Sequence, residues 1–149
     1  MEHDLSHWFS DKQSRLTYWR EWRQTLTSLD QKDLLSAVAD WWKFVPLVNK
    51  TLDPWRVDTW PNPWELIGAG EFCASAQGLG IFYTLTLLGH DPELVLAQLP
   101  DYDETRLLVV IDEEKVLNYV DGEAVDVEKA KVEPLNKWRS SDLARLVKV

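Results

Sequence analysis

The stretch Trp60-Pro61-Asn62-Pro63-Trp64-Glu65-Leu66-Ile67-Gly68-Ala69-Gly70-Glu71-Phe72-Cys73 decides the fold, because it prepares one short helix and delivers the only cysteine to the start of another. Asn62 suits the cap of the short helix. Pro63 suits its first position, where no N–H is needed, and Glu65 meets the positive end of the helix dipole. After the glycines a second helix is expected from about Glu71, through Ala74-Ser75-Ala76-Gln77-Gly78-Leu79-Gly80-Ile81-Phe82-Tyr83 to about Leu88, with Gly89 closing it. Cys73 then falls in the first turn.

Unpaired N–H groups at a helix start favour a thiolate, which is how many nucleophilic cysteines are set up. Free cysteine is also a common core residue, and Phe72, Ala74 and Ala76 suit a tightly packed helix. A nucleophile further needs a base. His3 and His7 lie in the N-terminal segment, and His90 follows Gly89 at the far end of the cysteine helix. About seventeen residues of helix span about 25 Å. A Cys73–His90 pair therefore needs a helix break, for which Gly78 and Gly80 are the candidates.

Toward the N-terminus, residues from about Ser10 to Leu29 place Leu16, Tyr18 or Trp22, Trp19, Leu26 and Leu29 at helical spacing, with Ser10 or Asp11 as cap. Asp30 can cap a second helix whose apolar stripe is Leu34, Leu35, Val38, Trp41, Trp42 and Val45, and Pro46 stops it. Between Val48 and Pro61 the chain reads as an irregular connector laid across the domain. Toward the C-terminus the periodicity becomes that of strands, at Glu93–Leu99, Thr105–Ile111 and Lys115–Val120, with turns at Asp112-Glu113-Glu114 and Asp121-Gly122. A short last strand over Ala124–Val127 and a terminal helix capped within Ser140-Ser141-Asp142 complete the reading. The expected class is α+β, a helical hairpin and a cysteine-bearing helix packed on a small antiparallel sheet. One domain of residues 1–149 is expected, made of the hairpin (8–46), a Trp- and Pro-rich connector (47–62), helix plus meander (63–127) and a C-terminal extension with a short helix (128–149).

The chain has 149 residues, 45% of them hydrophobic, enough for one core. Its longest apolar stretch, around Leu79–Leu88, is too short to cross a bilayer. The start, with Glu2, His3 and Asp4, lacks the basic and apolar character of a signal peptide. A single cysteine forbids an internal disulfide and fits a reducing cytoplasm. A net charge of −9 disfavours direct nucleic-acid binding. The local exception is the first helix, where Lys12, Arg15, Arg20 and Arg23 interleave with Tyr18, Trp19 and Trp22; it reads either as a solvated amphipathic face or as a docking surface for an acidic partner.

Nine tryptophans stand out, and all but Trp138 precede Cys73. Either they form a heavy aromatic core or several line an interface, the candidates being Trp19, Trp22, Trp41, Trp42, Trp55, Trp60 and Trp64. No phosphate loop, dinucleotide fingerprint or metal-ligand spacing is present, so no cofactor or metal is expected. The acidic pairs Asp101 with Asp103, and Asp112 with Glu113 and Glu114, read as solvated turn residues.

A cysteine in the first turn of a helix, followed by an antiparallel meander, resembles the core of the transglutaminase-like and papain-like superfamily over about Trp60–Val127. That resemblance implies a histidine on the next strand and an aspartate or asparagine on the one after. Arg106-Leu107-Leu108-Val109-Val110-Ile111 holds no histidine, while Asn118 or Asp121 can fill the third place, so the resemblance implies a degenerate, non-catalytic relative with no catalytic residue. The set Trp60-Pro61-Asn62-Pro63-Trp64, Cys73, Leu79-Gly80-Ile81-Phe82-Tyr83 and Leu117-Asn118-Tyr119 also resembles small proteins of tailed bacteriophages. It implies a non-enzymatic structural or assembly protein of the neck, tail or baseplate, assembled in the host cytoplasm into the virion. Its partners would be other phage structural proteins, or copies of itself. The alternatives are a cysteine hydrolase or amidase of transglutaminase-like fold, with His90 as base, and a small acidic regulatory or inhibitor protein.

Overall fold

The computed structural model describes residues 6–48 and 52–147; His3 and the side chain of His7 lie outside the described residues. Five helices pack on a five-stranded antiparallel sheet, an α+β fold. Helix α1 (Lys12–Thr25) is capped by Asp11, whose side chain accepts the Ser14 N–H at 2.8 Å, and α2 (Gln31–Lys43) by Asp30 through the Asp33 N–H. Helix α3 (Pro63–Ala69) has a complete capping box, Asn62 accepting from the Glu65 N–H while Glu65 accepts from the Asn62 N–H. Helix α4 (Ala74–Leu87) is continuous, and α5 (Ala144–Val147) is the last helix among the described residues.

The strands are β1 (Glu93–Leu99), β2 (Glu104–Ile111), β3 (Lys115–Leu117), β4 (Val125–Asp126) and β5 (Glu133–Trp138), in the order β4-β3-β2-β1-β5. Strand β1 has the bounds expected from the sequence, whereas β5 was not expected. Its Pro134 and charged residues do not read as a strand. They suit an edge that pairs only with β1, past a register shift at Leu96/Ala97, and leaves five of its six residues exposed.

Alternation along β1 and β2 divides the apolar residues between two cores. Leu94, Leu96, Leu107, Val109 and Ile111 join the helices, while Val95, Ala97, Leu99, Leu108 and Val116 form a smaller cluster beneath Tyr119, Val120, Val125, Ala130 and Val132. On the helical side α1 lies closest to α3, and α2 to α4, rather than to each other. The expected hairpin is bridged by aromatic rings instead, with Trp22 stacked on Trp41 at 4.0 Å and 10°.

The tryptophans divide by depth. Trp8, Trp19, Trp42 and Trp60 are buried, Trp22, Trp41, Trp64 and Trp138 are half-buried, and Trp55 is 62% exposed. Two of the four basic residues of α1 are also drawn inward, while Lys12 and Arg20 stay exposed. Arg15 bonds the carbonyls of Ile67, Gly68 and Ser10, and Arg23 lies 4.2 Å over the Trp19 ring, where burial lowers its pKa.

Candidate functional site

Cys73 is the N-cap of α4 rather than a residue of its first turn. Its placement follows from the turn before it. Gly70 ends α3 in the left-handed conformation at φ 64°, which glycine adopts without strain. Phe72 is then locked, fully buried, with its carbonyl accepting the Val48 N–H at 2.9 Å. Cys73 follows in extended backbone, and its carbonyl takes the Gln77 N–H as the first bond of the helix. Its sulfur caps no backbone N–H, so the thiol is not committed to holding the helix end.

The half-exposed thiol borders a cavity of ≈ 350 Å³. One wall is the connector, through Asp53, Thr59 and Pro61; the other is α3 and the turn after it, through Glu65 and Glu71. Besides Cys73 itself, the acid–base side chains in this lining are the carboxyl groups of Asp53, Glu65 and Glu71. Helix α3 and the connector are fixed to α4 by the Tyr83 hydroxyl, which donates to the Pro61 carbonyl at 2.5 Å; burial pushes its pKa far upward, against a smaller opposing effect of the Arg145 charge.

Asn118 approaches the helix start from the sheet. Its Nδ2 donates to the Ala74 carbonyl at 3.3 Å and to the Leu107 carbonyl at 2.8 Å. Arg106 donates from Nε to the Asn118 carbonyl at 2.7 Å and from the guanidinium to Oδ1 at 3.2 Å, and is itself paired with Glu104 at 2.7 Å. Asn118 has φ 63° and is 1% exposed. Of the two residues offered for the third place, it is thus the one joined to the cysteine helix, while Asp121 lies exposed on a turn. The helix-facing side of β2 carries Thr105, Leu107, Val109 and Ile111, with no histidine.

His90 does not serve Cys73. Helix α4 runs unbroken for 14 residues, about 20 Å, and His90 lies past its far end with its N–H on the Leu85 carbonyl, bordering a separate cavity with Leu26, Leu34 and Leu88. The glycines read as a possible break are contact points. A Cβ on Gly78 would stand 2.5 Å from the Leu107 carbonyl oxygen, and one on Gly80 2.3 Å from the Trp42 ring.

The fold places a cysteine at the start of a helix that packs on an antiparallel sheet, with the buried Asn118 just past β3 tied to that helix's first residue, and it has counterparts among solved structures. LapG of Legionella pneumophila matches it with a TM-score of 0.72 at 16% identity, over 93% of this chain and 89% of that one. The calcium-bound form of that protein gives 0.70 at 15% identity over 87% and 76%, and the EGTA-treated form 0.69 at 16% over 88% and 75%. At such identity the likeness is one of fold. No family model and no curated protein sequence matches the chain.

These neighbours overturn the phage reading. Nothing in them points to a virion, neck, tail or baseplate, and the likeness extends well beyond the core anticipated from Trp60–Val127 to nearly the whole chain. The expectation of a non-enzymatic protein is corrected with it, since the alternative framed on the transglutaminase-like fold is the one the neighbours favour. Calcium belongs to the LapG structure that carries it. Among the described residues here no three histidine, cysteine, aspartate or glutamate side chains converge as a metal site. None of the described helices is long and apolar enough to cross a membrane.

Proposed function

We propose that the protein is a cysteine hydrolase or amidase of the transglutaminase-like fold, acting on acyl substrates at Cys73. The observation that carries the reading is the uncommitted thiol at the N-cap of α4, bordering a cavity large enough for an acyl group and lined with carboxylates. A cavity carboxylate takes the thiol proton as Sγ attacks the acyl carbonyl and forms a thioester, with the oxyanion set against the N–H groups of the first turn of α4. The leaving group departs with a proton from a cavity carboxylic acid, and water then cleaves the thioester and restores the thiol. Asp53, Glu65 and Glu71 are the groups available for that proton, in place of the histidine the family pattern would supply.

The test is hydrolysis of small acyl esters and amides by the full chain and by Cys73→Ala, followed against pH. Activity that vanishes in Cys73→Ala and shows no limb near the ordinary histidine value of about 6.5 supports the reading. Activity that persists in Cys73→Ala contradicts it.

A further inference from the structure

We propose that Arg145 is a positioning residue that latches the connector wall over Cys73 and so sets which molecules reach the thiol. The connector is an irregular segment that holds its own shape. The Asp53 side chain accepts the Trp55 N–H at 2.9 Å, the Asp53 carbonyl accepts the Arg56 N–H at 3.2 Å, and Trp60 Nε1 returns to that same carbonyl at 2.8 Å. The segment from Asp53 to Trp60 is therefore a closed loop that moves as a unit.

Beside the packing of Val57 on the core, three contacts among the described residues tie this unit to the rest of the molecule. At its C-terminal base, the Tyr83 hydroxyl of α4 holds the Pro61 carbonyl, and the buried Trp60 ring meets Trp138 of β5 edge-on at 5.1 Å. Both are sheltered from solvent and fix a hinge. At the middle of the loop, Arg145 of α5 reaches across 88 residues of sequence and donates to the Val57 carbonyl at 2.8 Å. That bond is exposed, and it adds to the packing of the half-buried Val57 side chain on the helical core. Arg145 itself is fixed in place, because its neighbours Leu143 and Leu146 are each 2% exposed. The wall that carries Asp53 and Thr59 into the cavity is thus hinged at Pro61 and held shut at Val57.

The experiment compares alkylation of Cys73 by a small reagent, iodoacetamide, and a bulky one, fluorescein maleimide, in the full chain, Arg145→Ala and Arg145→Lys, with thermal unfolding of each. It reads access to the thiol and stands whether or not Cys73 hydrolyses anything. Expected is a rise of roughly fivefold in the bulky reagent's rate in Arg145→Ala, the weight of one solvent-exposed hydrogen bond. The small reagent's rate should change little, the unfolding temperature should be unchanged, and Arg145→Lys should restore part of the difference. An unchanged bulky-to-small ratio would overturn the proposal, as would an equal rise for both reagents accompanied by a lower unfolding temperature.

Discussion

Asn118 joins the end of β3 to the first residue of α4, its Nδ2 lying 3.3 Å from the Ala74 carbonyl and 2.8 Å from that of Leu107. One buried amide thus fixes how the helix capped by Cys73 sits against the sheet. Replacing it with alanine leaves two carbonyls and the Arg106 guanidinium short of partners and forces a left-handed φ on a residue less tolerant of it. Asn118→Ala should cost about 2–4 kcal/mol in chemical denaturation and slow alkylation of Cys73, whereas substitution of the exposed Asp121 by alanine should do neither.

Gly80 lies where the Trp42 ring would meet any side chain, at 2.3–2.6 Å. That ring cannot retreat, because it is fully buried and its Nε1 donates to Thr84 Oγ1 at 3.0 Å. Gly80→Ala should therefore destabilise by about 1–3 kcal/mol or more through overpacking. Gly89→Ala meets nothing within 4 Å and carries only the strain of φ 91°, so it should cost less. Urea midpoints of the two variants, side by side, distinguish contact from backbone strain.

Arg15 ties α1 to the C-terminal end of α3, its Nε at 3.2 Å from the Ile67 carbonyl and its other nitrogens on Gly68 and Ser10. A lysine presents a single point of charge where a planar fork serves three acceptors. Arg15→Lys is expected to lose most of what Arg15→Met loses, about 1.5–3 kcal/mol. Full rescue by lysine would show that charge rather than geometry matters there.

Asp11 and Asp126 both have pKa values lowered from the usual 3.8, Asp11 by the Ser14 backbone N–H first and Asp126 by its bond with Lys115 first. A depressed carboxylate contributes stability that is present above 3.8 and lost as pH falls through the lower folded value. Stability should therefore fall below pH 3.8, and Asp126→Asn should flatten part of that fall. Added salt should weaken the Asp126 component, since the pair is solvent-accessible.

Local chemistry was the readable part of this sequence. Asn62 and Glu65 announce a capping box, Asp30 a helix start, and the Glu93–Leu99 pattern a strand, because each depends on neighbours within one turn or one alternation. Strand β5 was not readable, since exposed edge residues face no apolar core that would impose a period. Gly78 and Gly80 were misread for a related reason. A glycine looks the same in sequence whether it bends a helix or admits Trp42 and Leu107 against its backbone, and only the tertiary approach decides. Cys73, and Asn118 as one of two alternatives with Asp121, could be marked from the sequence, while Arg106 could not, because its bond to Asn118 depends on where β3 ends. The connector wall and its contact with Arg145 bring together residues 88 apart and leave no local mark.

The central claim is that Cys73 is a nucleophile, and mass spectrometry of the intact protein after brief exposure to an activated acyl ester at low pH, where hydrolysis of a thioester is slow, tests it most directly. One acyl group on Cys73, absent from Cys73→Ser and removed on return to neutral pH with recovery of the free thiol, is the expected result. An unmodified Cys73, or acylation spread equally over lysines and retained in the variant, would contradict it.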